Sequence, residues 1–136
     1  MSWKPWKSAE KQAAKILGGQ RRTRVTYSES CEDVHHMVFA IEVKYGKQIP
    51  KFVRSVGNNL VIYGDIALFP LGAISSMSLK SLPIKKEKRT KGLGFLLRGL
   101  EQALSYSPNR VPLLCLKPDG YRGMVGCMYV RSMMNE

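Results

Sequence analysis

The sequence predicts an α/β domain, a mixed β-sheet flanked by helices, and three observations carry that prediction. Residues 33 to 44, DVHHMVFAIEVK, alternate as a long strand does, with Phe39, Ile41 and Val43 on one side and Glu42 and Lys44 on the other. Between residues 93 and 106, Leu93, Leu96, Leu97, Leu100, Ala103 and Leu104 recur at helical spacing, as in an amphipathic helix packed on a sheet. The elements follow in the order helix, strands, hairpin, helix, strands, which favours layers rather than a bundle or a sandwich. At 136 residues the chain is of single-domain length, 1–136, and shows neither an internal repeat nor a boundary.

The first helix is expected from a cap at Ser8 to about Leu17, stopped by Gly18-Gly19. Glu10, Ala14 and Leu17 share a side of it at i, i+4 and i+7, which turns Glu10 wholly or partly inward; a first-turn glutamate favoured by the helix dipole is the other reading. The basic cluster Gln20-Arg21-Arg22-Thr23-Arg24 leads into a strand at Val25-Thr26-Tyr27. Ser28 to Glu32 form a turn, and the chain returns through Asp33 along one strand to Lys44, closed by YGKQIP. Leu60-Val61-Ile62-Tyr63 and Ile66-Ala67-Leu68-Phe69 flank Gly64-Asp65, a hairpin signal, and neither run alternates. Such a pair must be covered on both faces, by the core, a second subunit or a ligand. Residues 75 to 81 read as a flexible connection and 85 to 91, KKEKRTK, as a solvated loop. After the leucine-rich helix, Val111 to Leu116 form a buried strand, Pro118-Asp119-Gly120 a turn, and Met124 to Val130 the last strand.

Charge narrows the function. Twenty-two lysines and arginines against ten acids leave a formal charge of +12, which attracts a polyanion, nucleic acid foremost. No apolar stretch approaches the roughly 20 residues that span a bilayer; the longest, residues 66 to 74, is broken by Pro70. The start of the chain has no secretory pattern, so the expected location is the cytoplasm, that of the host if the gene is phage-borne. Cys31, Cys115 and Cys127 lack paired spacing and read as reduced thiols acting as small hydrophobes. Together with His35 and His36, Cys31 matches no standard zinc arrangement, and adjacent strand histidines point opposite ways. A histidine general base is the other possibility for that pair, and surface histidines are the default.

In so basic a chain, acids near a bound polyanion oppose binding unless a metal ion intervenes, which singles out Glu10, Asp33 and Glu42. Glu42 and Lys44 stand side by side. With Asp33 brought close, they offer two oxygen ligands to a hard divalent cation and one positive group beside it, an arrangement suited to cutting phosphodiesters. The competing reading is a same-face ion pair on an exposed sheet surface, common and worth little.

Asp-x8-Glu-x-Lys, together with AIEVKYGKQIPKF, the upstream EKQAAKILGGQRRTR, Gln102-Ala103 and PLLCLKPDGYRG, resembles the archaeal-type Holliday junction resolvases and their phage relatives in the PD-(D/E)XK nuclease superfamily. The likeness covers roughly residues 8 to 54 and 95 to 130. It implies a restriction-endonuclease-like fold. It also implies that Asp33 and Glu42 ligate magnesium, with manganese able to replace it, that Lys44 orients or activates the attacking water, and that Glu10 completes the metal site. Gln102 takes the place of a helical glutamine facing that site. Two departures stand out. Glu32 occupies a position that is often proline in the superfamily, which leaves open whether Glu32 or Asp33 is the ligand. Residues 55 to 91 are an insertion, expected as a dimer arm, a junction-binding flap or a lid.

The expected partner is branched or duplex DNA. Arg21, Arg22 and Arg24 suit bidentate phosphate contacts, and Lys47, Lys85, Lys86, Lys88 and Arg89 add further backbone contacts. A homodimer matches the two-fold symmetry of a junction and its paired nicks, with the apolar hairpin around Gly64 as interface. Three readings result: a structure-selective endonuclease that resolves junctions in recombination and repair; a restriction-like, nicking or repair endonuclease acting on duplex or flap DNA; and a non-catalytic DNA-binding module.

Overall fold

The computed structural model describes residues 5–18, 20–21, 34–75, 79–88 and 90–134. Helix α1 (Pro5–Leu17) starts earlier than the Ser8 cap predicts, because a proline is pre-organised for the first helical position. It ends where Gly18 turns left-handed, at φ 73°. Strands β1 (Gln20–Arg21), β2 (Val34–His35) and β3 (Phe39–Gly46) form an antiparallel meander, with Arg21 opposite Val34 and Val34 opposite Ile41. The single strand expected from Asp33 to Lys44 is therefore a hairpin, bent at residues 36 to 38. The strand expected at residues 25 to 27 lies outside the described residues, and β1 falls at the start of the basic cluster before it.

The rest of the sheet is built from β4 (Leu60–Tyr63), β5 (Ile66–Pro70), β6 (Ile84–Glu87), β7 (Val111–Pro118) and β8 (Val125–Tyr129). Its eight strands run in the order β1-β2-β3-β7-β8-β5-β4-β6, with β3 parallel to β7, β4 parallel to β6, and the other pairs antiparallel. Parallel neighbours need a crossover, and α3 (Leu93–Tyr106) lies in the connection that carries the chain back to β7. Short helices α2 (Leu71–Ser75) and α4 (Val130–Met134), neither legible from periodicity, follow β5 and β8.

Each face of the sheet has its own core. On one, Ala9, Ala13 and Ala14 of α1 and Leu71 and Ile74 of α2 pack with Ile41, Val43, Phe69, Leu113 and Cys115. On the other, Leu93, Leu96 and Leu100 of α3 and Val53 of the 3-10 turn Lys51–Ser55 pack with Leu68, Leu114, Leu116 and Cys127. Cys115 and Cys127 are buried free thiols, and burial pushes the Cys127 pKa up; Cys31 lies outside the described residues. No helix among the described residues is long and apolar enough to cross a membrane.

The two-sided hairpin finds its cover inside the molecule. Leu60, Ala67 and Phe69 enter the α1-side core, and Val61, Tyr63, Ile66 and Leu68 the α3-side core. Of the segment 55 to 91, expected as an arm, flap or lid, β4 and β5 extend the sheet beyond β8, with these apolar side chains inside the two cores. The basic loop is corrected. Ile84–Glu87 is an edge strand with all four side chains exposed, and its lysines blunt an edge that would otherwise pair with other chains.

Close approach across the sheet leaves no room at Gly126. A Cβ there would meet the Phe69 ring, 2.7 Å from Cζ, and Leu71 at 3.1 Å, whereas Gly72 has nothing within 4 Å. Gly126→Ala is expected to cost about 1–3 kcal/mol, read as a lowered denaturation midpoint, with Gly72→Ala as the near-neutral control. Equal midpoints for the two variants would contradict this packing.

Candidate active site

The α3-side face of β3 carries a charge inside the core. Glu42 is 4 % exposed, the one charged residue buried to that degree among the described residues. Strand alternation sends Ile41 and Val43 toward α1, so Glu42 and Lys44 project toward α3. Their neighbours on β7, Leu114 and Leu116, are apolar, and a carboxylate among them is costly unless paired and hydrogen-bonded.

Four side chains provide that compensation in a closed ring. Lys44 Nζ lies 3.0 Å from Glu42 Oε2. The Tyr106 hydroxyl donates to Glu42 Oε1 at 2.6 Å, Gln102 Nε2 donates to the Tyr106 oxygen at 3.0 Å, and Lys44 Nζ donates to Gln102 Oε1 at 3.3 Å. Gln102 and Tyr106 are one helical turn apart on α3 and therefore share a face. Small residues let that face approach: Ala103 is fully buried, and a Cβ at Gly99 would sit 2.8 Å from Leu114. The ring joins a carboxylate, an ammonium, a phenol and an amide, and no buried side-chain polar atom is left without a partner among the described residues.

The structure thus brings together Glu42, Lys44 and Gln102 from the sequence-derived set and adds Tyr106, which sequence reasoning missed. The signal for it was the i, i+4 spacing from Gln102 on the same helix. Glu10 is not on this face: its helix packs against the Ile41 and Val43 side of β3, across the sheet from Glu42. The half-inward orientation read for Glu10 is met, since its side chain is half-buried. Asp33, Glu32, Arg22, Arg24 and Arg89 lie outside the described residues, as does the side chain of Arg21.

The expected backbone-binding lysines are dispersed. Lys47 is exposed in the turn that follows β3. Lys85, Lys86 and Lys88 stand on or just after β6, five strands from β3, about 24 Å at the usual strand spacing. Lys85 pairs with Glu87 at 3.3 Å on this exposed edge. Two further basic features escaped the sequence reading. Lys7, Lys11 and Lys15 are all exposed at four-residue spacing along α1. Lys117 donates to the carbonyls of Tyr121, Arg122 and Gly123 and so folds the loop after β7; burial lowers its pKa.

Among the described residues no three of His, Cys, Asp and Glu gather as a metal site. His36 is occupied in closing its own turn, with Nδ1 accepting from the Val38 and Phe39 amides. Glu42 alone still has donor chemistry that suits magnesium, which takes one or two carboxylates and fills its shell with water and phosphate oxygens. Val34, next after Asp33 in the sequence, pairs with Ile41, next before Glu42.

Removing Lys44 strands the buried Glu42 carboxylate. Lys44→Met is expected to cost about 2 kcal/mol, and Glu42→Gln with Lys44→Met to regain most of that deficit. Strictly additive effects in this double-mutant cycle, measured by denaturant unfolding, would mean that the pair carries no coupling. A scan against models of protein families, a search of curated proteins and a search of solved structures each return no match.

Proposed function

We propose that the chain is a magnesium-dependent, structure-selective DNA endonuclease of the PD-(D/E)XK type, a homodimeric junction resolvase on a restriction-endonuclease-like fold. The observation that carries the reading is the buried Glu42 carboxylate paired with the half-buried Lys44, gripped by Gln102 and Tyr106 from α3. A carboxylate among leucines gains no stability over a well-packed apolar residue there, which supports a chemical role for Glu42. The mixed sheet flanked by helices, with β3 and β7 parallel beneath α3, supports the fold part of the reading.

Glu42 and Asp33 would hold the ion, with Asp33 included because its successor in the chain pairs beside Glu42. An ion held by these carboxylates would supply charge neutralisation at the phosphate and acidify water. Lys44, fixed on the same strand face, donates to the phosphate oxygen on which negative charge develops. Gln102 orients the Lys44 ammonium, and Tyr106 orients Glu42. The +12 charge supplies the affinity for the DNA backbone, and selectivity then rests on shape.

A second reading, a non-catalytic DNA-binding module, draws support from the closure of the ring, since both Glu42 oxygens already have partners. One assay separates the two: cleavage of a synthetic four-way junction with and without magnesium, beside linear duplex, nicked and flap DNA. The enzyme reading expects magnesium-dependent paired nicks, with Asp33→Asn, Glu42→Ala and Lys44→Ala each slower by about 10²-fold or more while binding is retained. No cutting by the native protein under any metal supports the module, and preference for duplex or flap removes the resolvase assignment.

The distance of β6 from Glu42 generates a separate expectation. Neutralising Lys85, Lys86 and Lys88 should leave the cleavage rate at saturating DNA unchanged. The salt dependence of binding should fall by about 0.9 log units for each phosphate that these lysines no longer neutralise. An unchanged slope means that this edge faces away from DNA.

A further inference from the structure

The tip of the β2–β3 hairpin exposes apolar side chains on a rigid support. Met37 is 88 % exposed and Val38 53 %, the two residues between His36 and Phe39. Exposed hydrophobes on a loose loop are ordinary. Here the backbone on either side of Met37 is tied down at His36, Val38 and Phe39. His36 Nδ1 accepts from the Val38 amide at 3.1 Å and the Phe39 amide at 3.4 Å. Arg110 Nη1 donates to the His36 carbonyl at 2.8 Å and the Phe39 carbonyl at 3.5 Å, and the Val111 amide donates to the Val38 carbonyl at 2.9 Å. The His36 and Phe39 rings pack with centroids 5.1 Å apart.

Two apolar side chains are therefore held out in water by a frame anchored to the start of β7. The frame is close to the candidate site, since Phe39 and Glu42 are three residues apart on β3, about 10 Å. The chain's charge of +12 attracts DNA, and the tip itself carries a cation, Arg110, against its backbone. Apolar side chains, methionine among them, act on DNA by entering a base step and unstacking it, most cheaply where stacking is already interrupted.

We propose that Met37 and Val38 form a wedge that enters an opened base step at a DNA branch point and so selects branched over linear DNA. The proposal deepens the nuclease reading by naming what recognises structure, and it rests on that reading for its DNA partner. Arg110 and His36 are positioning residues that keep the wedge rigid. The substitutions that test it touch exposed side chains only, so the fold is retained.

The experiment uses the full chain in chelator, where no cutting occurs, with a four-way junction carrying 2-aminopurine at the branch point and a linear duplex carrying it internally. Native protein should raise the junction fluorescence several-fold. Met37→Ser/Val38→Ser should abolish the rise, lower the preference for junction over duplex by about tenfold, and leave the salt slope unaltered. Met37→Leu/Val38→Ile should restore both. No rise with native protein, a rise that persists in the serine variant, or no DNA binding overturns the wedge. So does a concentration-dependent dimer that the serine variant dissociates without any change in fluorescence, which assigns the tip to a second copy. Unstacking without magnesium-dependent cleavage sinks the nuclease reading alone; cleavage without unstacking sinks the wedge alone.

Discussion

The burial of the Glu42 carboxylate beneath α3 is the constraint around which this half of the molecule is arranged. An ion removed from water among leucines needs a counter-charge and hydrogen bonds to its remaining lone pairs. Lys44 supplies the first because it lies two residues along the same strand, and Tyr106 supplies the second from the helix above. The helix must then come close and keep its register over the strand. Gly99 and Ala103 permit the approach, and the leucines on either side hold it. Gln102 completes the ring by tying the lysine to the tyrosine. The parallel pairing of β3 and β7 follows from the same packing, because the crossover helix lies over both strands.

A ring satisfied from within is stable as it stands, and a ligand that enters must exchange partners with it. The contacts to Glu42 are strong in a low-dielectric pocket, yet the other three side chains, Lys44, Gln102 and Tyr106, keep part of their surface within reach of solvent. On the proposed reading, a phosphodiester and its cation would displace ring contacts from this side without unpacking the leucine core. This ties the stability of the apolar layer to the chemistry proposed for the polar one. The sheet keeps Glu42 and Lys44 in place, and the helix governs how readily they are released.

Local pattern was informative wherever a segment's environment is simple. The leucine periodicity located α3 within its observed span, Leu93–Tyr106, and the two-residue Gly-Asp turn located the β4–β5 hairpin. Alternation placed Glu42 beside Lys44, and that local geometry holds at 3.0 Å. Pattern misled where a short-range signal competes with a tertiary one. Residues 33 to 44 alternate as though in one strand, but His36 and Arg110 stabilise a bend that only the neighbouring strand and the start of β7 make favourable. Lys85-Lys86-Glu87 reads as loop by charge, yet its backbone pairs with β4, since an edge strand can leave all its side chains in water.

By itself, the sequence determined the class of the fold, the basic character of the surface and the adjacency of Glu42 and Lys44, because these depend on composition and on spacings of a few residues. Which face each helix covers was decided by the tertiary structure. So were the contribution of Tyr106 to the ring, the placement of the Glu10 helix across the sheet, and the absorption of the hairpin into the core. The physical reason is common to all of these: each depends on contacts between residues far apart in the chain, which no periodicity encodes and which only the closing of both cores selects.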